Sequence, residues 1–221
     1  MIRDLFTKGF AVTSLPKECA DRMLEIVESQ SFASVTGVYD QQPTVAETEF
    51  NFPEVWTHRG KAVQAFDMSD SPEELEQIWR VIGEKHLSPF QEIMGKFDQT
   101  CMLAHRFSVG QEIGFHSDTT EATFFGMIAY LGDSGFSEGD GGYLRLGRAH
   151  LDPNGALSNV TEIAKVMPNH GTLVIVSNID PTFVHAVEPL RNKKKRFTQA
   201  CRFGYSAQRF AIKKMNRGGY S

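Results

Sequence analysis

At 221 residues the chain is long enough for one domain with a substantial core, and 41% hydrophobic with 23% charged residues is ordinary for a globular protein. The net charge of −4 hides an asymmetry, because ten of the 23 Lys and Arg follow residue 188 and none of the 27 acids does. No run approaches membrane-spanning length, MIRDLFTKGFAVTSLPKE lacks a signal-peptide core, and Cys19, Cys101 and Cys201 form neither a disulfide framework nor a CxxC pair. The expectation is a cytoplasmic protein with no membrane partner.

Residues 16–30 begin with Pro and acids and place Cys19, Met23, Ile26 and Val27, with Ala20, on one helical face. Segment 37–60 is polar and proline-punctuated, which suggests a short strand or a loop over a site. A second helix opens at SDSPEELEQ, where Ser71 is placed to cap, Pro72 takes the first turn and Glu73 and Glu74 suit the dipole. Pro89 is expected to interrupt or restart it. From about residue 99 the pattern changes to short β-rich runs parted by Gly, Pro and Asp. These are QTCMLAHRFS, TFFGMIAYL, GYLRL, GTLVIVS, FVHAVEPL and RFTQACRFGY. They favour a sandwich or barrel over a parallel sheet with crossover helices. Residues 151–171 read as a turn-containing insertion. The basic end (RNKKKR, then QRFAIKKMNR) suits a solvated surface offsetting an acidic body, with nucleic acid as the alternative partner.

In FHSD, His116 and Asp118 are two apart, so an extended chain points both side chains the same way. With a distant second imidazole, this is the facial triad that holds non-haem Fe(II) and leaves three positions open. His185, in the β-rich FVHAVEP, fits best as that partner. His58 and His86 precede the β region, and His150 and His170 flank the insertion.

The order FHSD, FFGMIAYL, GDGGYLRL, GTLVIV, VHAVEPL and RFT resembles the iron(II)- and 2-oxoglutarate-dependent oxygenases, especially their prolyl-hydroxylase-like branch. The resemblance spans roughly residues 99–206. It implies a mainly β fold with supporting α-helices, a double-stranded β-helix or jelly-roll barrel. Under it the chain is a single oxygenase domain over 1–221: helical support with a lid loop over 1–98, the β-helix core over 99–206 and a basic tail over 207–221. It implies His116, Asp118 and His185 as iron ligands, and Arg196, eleven residues after His185, as the clamp on the distal carboxylate of 2-oxoglutarate, with Thr198 adding a hydroxyl. The implied reaction consumes O2 and 2-oxoglutarate, releases succinate and CO2, and hydroxylates a C–H bond of an amino acid, free or peptidyl; ascorbate is compatible with such a centre. Halogenases of this family carry Gly or Ala where Asp118 stands, so hydroxylation is the expected outcome, though desaturation or ring formation would use the same ligands.

One departure stands out. A tyrosine nine or ten residues before the first ligand assists cosubstrate binding in many prolyl hydroxylases, and Phe107 cannot donate that hydrogen bond. Tyr130, Tyr143 and His105 are the candidates to replace it. Substrate contacts are sought among Tyr39, Glu47, Trp56, His58, Arg59, Glu112, Thr119 and Glu121. Two alternatives remain. A demethylase of alkylated nucleic acid would use two arginines six apart, matched by Arg196 and Arg202; in the hydroxylase arrangement Arg202 sits near the strand's end and makes surface or inter-strand contacts. A non-redox, cupin-like metal-binding module would need the triad but no arginine at the pocket floor.

Overall fold

The computed structural model describes residues 2–40, 61–118, 123–151, 157–180 and 182–204. Chain order is α1 (Ile2–Lys8), β1 (Phe10–Ser14), α2 (Lys17–Glu28), β2 (Ala33–Asp40), β3 (Lys61–Asp70), α3 (Glu73–Met94) and β4 (Asp98–Phe107). There follow β5 (Glu112–His116), β6 (Thr123–Gly132), β7 (Leu144–Leu151), β8 (Leu157–Val166), β9 (Thr172–Ser177), β10 (Phe183–Val187) and β11 (Arg196–Gly204). The described strands form one hydrogen-bonded sheet in the order β1-β9-β6-β11-β4-β3-β5-β10-β7-β8, with β2 beside β3.

That sheet folds back on itself. β3 pairs with β4 through Asp67–Asp70 and with β5 through Gln64 and Ala65, so it links two halves. Their inner faces meet in one apolar cluster. Phe107, Tyr130, Val174 and Val176 of one half pack with Ile113, Leu144, Leu146 and Val187 of the other. The outer face of the β9-β6-β11-β4 half is covered by α2 and α3, with Met23, Val27, Leu75 and Trp79 against Met127, Leu131, Ile175 and Phe203. This explains why TFFGMIAYL reads as an unbroken apolar run: strands covered on both faces lose the polar alternation of half-exposed ones. The result is a jelly-roll barrel with helices on one side, the mainly β architecture expected from the strand pattern.

The helix over 16–30 is present and buries Ala20, Met23, Ile26 and Val27. Four details differ from expectation. α3 runs through Pro89 without interruption. Proline inside a helix costs about 3 kcal/mol, and the flanking Leu87 (0% exposed) and Phe90 (2%) bury enough apolar surface to offset that. Ser71 does not cap α3; its hydroxyl accepts a hydrogen bond from the Gln199 amide at 2.7 Å, tying the helix start to β11. The supposed insertion over 151–171 contains a ten-residue strand, β8, paired along β7. Before residue 98 the chain also supplies sheet strands, with β1 paired along β9 and β2 along β3.

The basic run 191–196 is not a bare charged surface. Arg191 pairs with Glu188, Lys194 with Asp140 and Lys195 with Glu28, while Arg196 is buried. The tail over 207–221 lies outside the described residues.

The GDGG turn is a steric requirement. Gly141 adopts φ +68°, and a Cβ there would stand 2.0 Å from the Pro189 carbonyl oxygen. Gly141→Ala is therefore expected to destabilise the protein by about 2–3 kcal/mol, while Gly139→Ala, whose nearest neighbour would be the Ser137 hydroxyl at 3.7 Å, should be nearly neutral. Thermal unfolding of the two variants checks this; equal midpoints would refute the steric argument.

Candidate metal centre and cosubstrate pocket

The antiparallel register between β5 and β10 sets His116 opposite His185. Their rings lie 4.2 Å apart between centroids. Asp118, just past the end of β5, brings its carboxylate to 3.8 Å from His116 Nε2 and 3.7 Å from His185 Nε2. One ligand atom from each of the three residues lies within 4.8 Å of the others. The three expected ligands thus converge, although the two strands join only through a long excursion of chain.

Local contacts fix the donors. His116 Nδ1 lies 2.9 Å from the Gly114 carbonyl oxygen, the geometry of a donated N–H that would leave Nε2 as the lone-pair donor. Burial and the neighbouring His116 ring push His185 down to about 3, against the pull of Asp118, so its imidazole is neutral at physiological pH. Burial alone would raise Asp118, but the Arg202 guanidinium, joined by His185 and His116, outweighs it and holds the carboxyl well below the usual range. Two imidazoles and a carboxylate are the donor set that suits Fe(II).

Arg202 is the residue whose role the sequence misplaced. Its Nη2 donates to Asp118 Oδ1 and forms an ion pair with it, so beyond surface or inter-strand contacts it holds one of the three candidate ligands. Step six along β11 does put it on the face of Arg196, but the ion partner it reaches is 84 residues away in sequence.

Deeper in the barrel, Arg196 is 1% exposed. Its Nε donates to the Gly142 carbonyl at 2.6 Å. Its guanidinium lies 3.9 Å from the Phe107 ring centroid and 5.3 Å from that of Tyr130. Both terminal nitrogens, Nη1 and Nη2, have no hydrogen-bond partner, and the buried Tyr130 hydroxyl also has none. Gly142 is part of this geometry, since a Cβ on it would come within 3.1 Å of Arg196 Cδ. Burial lowers Arg196 to about 10 and raises Tyr130 to about 12, so one stays cationic and the other stays a donor.

Thr198 and His105 face each other across β11 and β4, with Thr198 Oγ1 3.4 Å from His105 Nδ1. Burial, reinforced by Arg196, pushes His105 down to about 3, so it is neutral. Phe107 packs between Arg196 and Phe66. Tyr143 is not among the residues of the inner cluster, and the Lys165 ammonium lies 5.4 Å from its ring centroid, whereas Tyr130 lies beside Arg196. Glu112 starts β5, at the opposite end from His116, where burial and Glu188 raise its pKa. The backbone of Tyr39 lies in β2; Glu47, Trp56, His58, Arg59, Thr119 and Glu121 lie outside the described residues.

Superposition on solved structures is close over nearly the whole chain. A prolyl-4-hydroxylase from Pseudomonas putida matches with a TM-score of 0.57 at 18% identity, covering 92% of this chain and 96% of that one. This is the fold of the prolyl hydroxylases. A Trichoplax adhaerens prolyl hydroxylase, solved with a hypoxia inducible factor oxygen degradation domain peptide fragment, gives 0.59 at 16% identity over 96% and 90%. HygX from Streptomyces hygroscopicus, solved with nickel and 2-oxoglutarate, gives 0.58 at 9% identity over 93% and 86%. No protein-family model and no curated protein matches the sequence. Among the described residues no helix is long and apolar enough to cross a membrane.

Proposed function

We propose that the chain, as one oxygenase domain over 1–221, is an Fe(II)- and 2-oxoglutarate-dependent dioxygenase that hydroxylates a C–H bond of an amino acid, most simply one within a peptide. The observation that carries this reading is the buried guanidinium of Arg196, with two unpartnered nitrogens, inside the barrel that also presents the His116, Asp118 and His185 donor set. A buried cation with free donors is costly unless a ligand completes it. A carboxylate suits a guanidinium's paired N–H groups, and the Tyr130 hydroxyl supplies a further donor beside them. The metal-binding module without redox chemistry has no use for that arrangement.

In this reading His116, Asp118 and His185 hold the metal, and Arg196, Tyr130 and Thr198 hold the distal carboxylate of 2-oxoglutarate. When bound, iron would let O2 act as the oxidant, with 2-oxoglutarate giving succinate and CO2 and the substrate C–H becoming C–OH, one oxygen atom of O2 going to each. The protein's work is positional. Phe107, Phe66 and Leu146 would give the cosubstrate an apolar surround, while Gly142 aims the arginine and Arg202 holds Asp118. A peptidyl substrate is supported by the peptide-bound Trichoplax structure, whose match covers 90% of that chain. The hydroxylases among the matched structures favour this reading over the nucleic-acid demethylase, and a cytoplasmic setting accords with free thiols at the three cysteines.

Anaerobic addition of Fe(II) and then 2-oxoglutarate tests the proposal. A weak visible charge-transfer band should grow in and saturate, and a screen of amino acids and peptides should then find one that gains an oxygen atom as succinate forms. A metal-loaded protein that develops no band at any 2-oxoglutarate concentration would refute the assignment.

A further inference from the structure

One buried polar group at the metal end of the barrel is used by neither the metal set nor the cosubstrate clamp. Asn178 follows β9, is 4% exposed, and its Nδ2 has no hydrogen-bond partner. Its backbone is pinned, with N–H donating to the Phe124 carbonyl at 2.9 Å. Val176 and Val174, two and four residues earlier, belong to the inner cluster, so the same parity carries Asn178 inward.

Gly126 locates the amide. A Cβ on Gly126 would stand 3.7 Å from Asn178 Nδ2 and press to 2.9 Å on Val176, so glycine keeps this spot open. In the β6–β11 register Gly126 is the partner of Arg202, whose guanidinium holds Asp118. The amide, the glycine, the arginine and the metal ligand therefore follow one another across the metal end. An unpaired buried amide costs roughly 1–3 kcal/mol, a cost that persists in functional sites where a ligand removes it. A site built to make such a bond also discriminates strongly against molecules that lack the matching group.

We propose that Asn178 is a substrate-recognition group, whose amide donates a hydrogen bond to a carbonyl or carboxylate oxygen of the molecule being oxidised. This rests on the oxygenase reading and adds to it a substrate class: compounds with an acceptor oxygen close to the oxidised carbon, carried either by a peptide carbonyl or by a free carboxylate.

The test uses the full chain loaded with Zn(II), which is redox-silent, and 2-oxoglutarate, followed by nitrogen–proton correlation spectra. The Asn178 side-chain pair is identified by its loss in Asn178→Asp, or by contacts to Val176 methyls and Gly126 if that variant does not fold. Two probes are titrated to tens of millimolar, N-acetyl-L-alanine methylamide and sodium acetate. The expected result is a saturable shift of the Asn178 pair larger than that of any other Asn or Gln side chain. A shift with the blocked amide assigns a peptide carbonyl, and a shift with acetate alone assigns a free carboxylate. If 2-oxoglutarate perturbs the spectrum but neither probe moves the pair, or the pair merely exchanges with a buried water, the subsite is refuted while the oxygenase reading stands. No perturbation by 2-oxoglutarate would instead overturn the underlying function.

Discussion

Fe(II) affinity and turnover are expected to fall together, by roughly a hundredfold or more, when His116, Asp118 or His185 is replaced by alanine. The magnitude follows from the ligand count: loss even of an outer partner of a ligand costs about 10- to 100-fold in affinity or activity, and here one of three protein donors disappears. The three variants should differ in a second respect. His116→Ala and His185→Ala each remove one imidazole and leave the Asp118–Arg202 ion pair in place. Asp118→Ala removes the carboxylate that forms an ion pair with the Arg202 guanidinium, whose side chain is 28% exposed. The metal-free Asp118 variant should therefore melt below the two histidine variants, because it alone breaks a partly buried ion pair. Anaerobic Fe(II) titration and thermal unfolding of the metal-free proteins check both halves. Wild-type iron affinity in any one variant would sink the ligand assignment.

The contrast between what the sequence revealed and what it hid has a physical pattern. Strands buried on both faces, such as TFFGMIAYL and GTLVIVS, announce themselves because covering both faces demands unbroken apolar runs. β8 was hidden because NVTEIAKV mixes polar and apolar residues and lies at the sheet edge, paired on β7 alone among the described strands. Pro89 misled for a related reason: local backbone rules favour a break, and tertiary burial of Leu87 and Phe90 overrides them. At the site, the alternation of a strand fixed which residues share a face, and that was enough to group His116 with Asp118 and Arg196 with Arg202. It does not say what each side chain meets across the barrel. Hence Arg202 on Asp118, the Tyr130 hydroxyl beside Arg196 and the unpaired Asn178 amide emerged only from the fold. The signals for Arg202 and Tyr130 were present, the first in its six-residue step and the second in its candidacy for the missing tyrosine's task. Asn178 gave none, since an asparagine after a strand is ordinary turn chemistry.

Arg196→Lys and Arg202→Lys should fail in different titrations. A lysine at 196 keeps the charge but loses the fork that meets a carboxylate with two parallel hydrogen bonds. It also loses the Nε donor that the Gly142 carbonyl uses to aim the side chain, so the ammonium would sit among Phe107 and Tyr130 without that guide. 2-Oxoglutarate affinity should drop by roughly tenfold or more, about 1.4 kcal/mol on the scale of one charge-assisted hydrogen bond, with Fe(II) affinity close to wild type. A lysine at 202 instead weakens the grip on Asp118, so Fe(II) affinity should fall by about tenfold, the low end for a lost outer partner, while 2-oxoglutarate titration of the iron-saturated protein changes little. Both are read from the same anaerobic experiment, metal first and cosubstrate second, following the visible band. Equal, large losses of 2-oxoglutarate affinity at both positions would mean that the two arginines share the carboxylate, the arrangement of the demethylase alternative. A loss of cosubstrate affinity at Arg202 alone would remove Arg196 from the pocket floor.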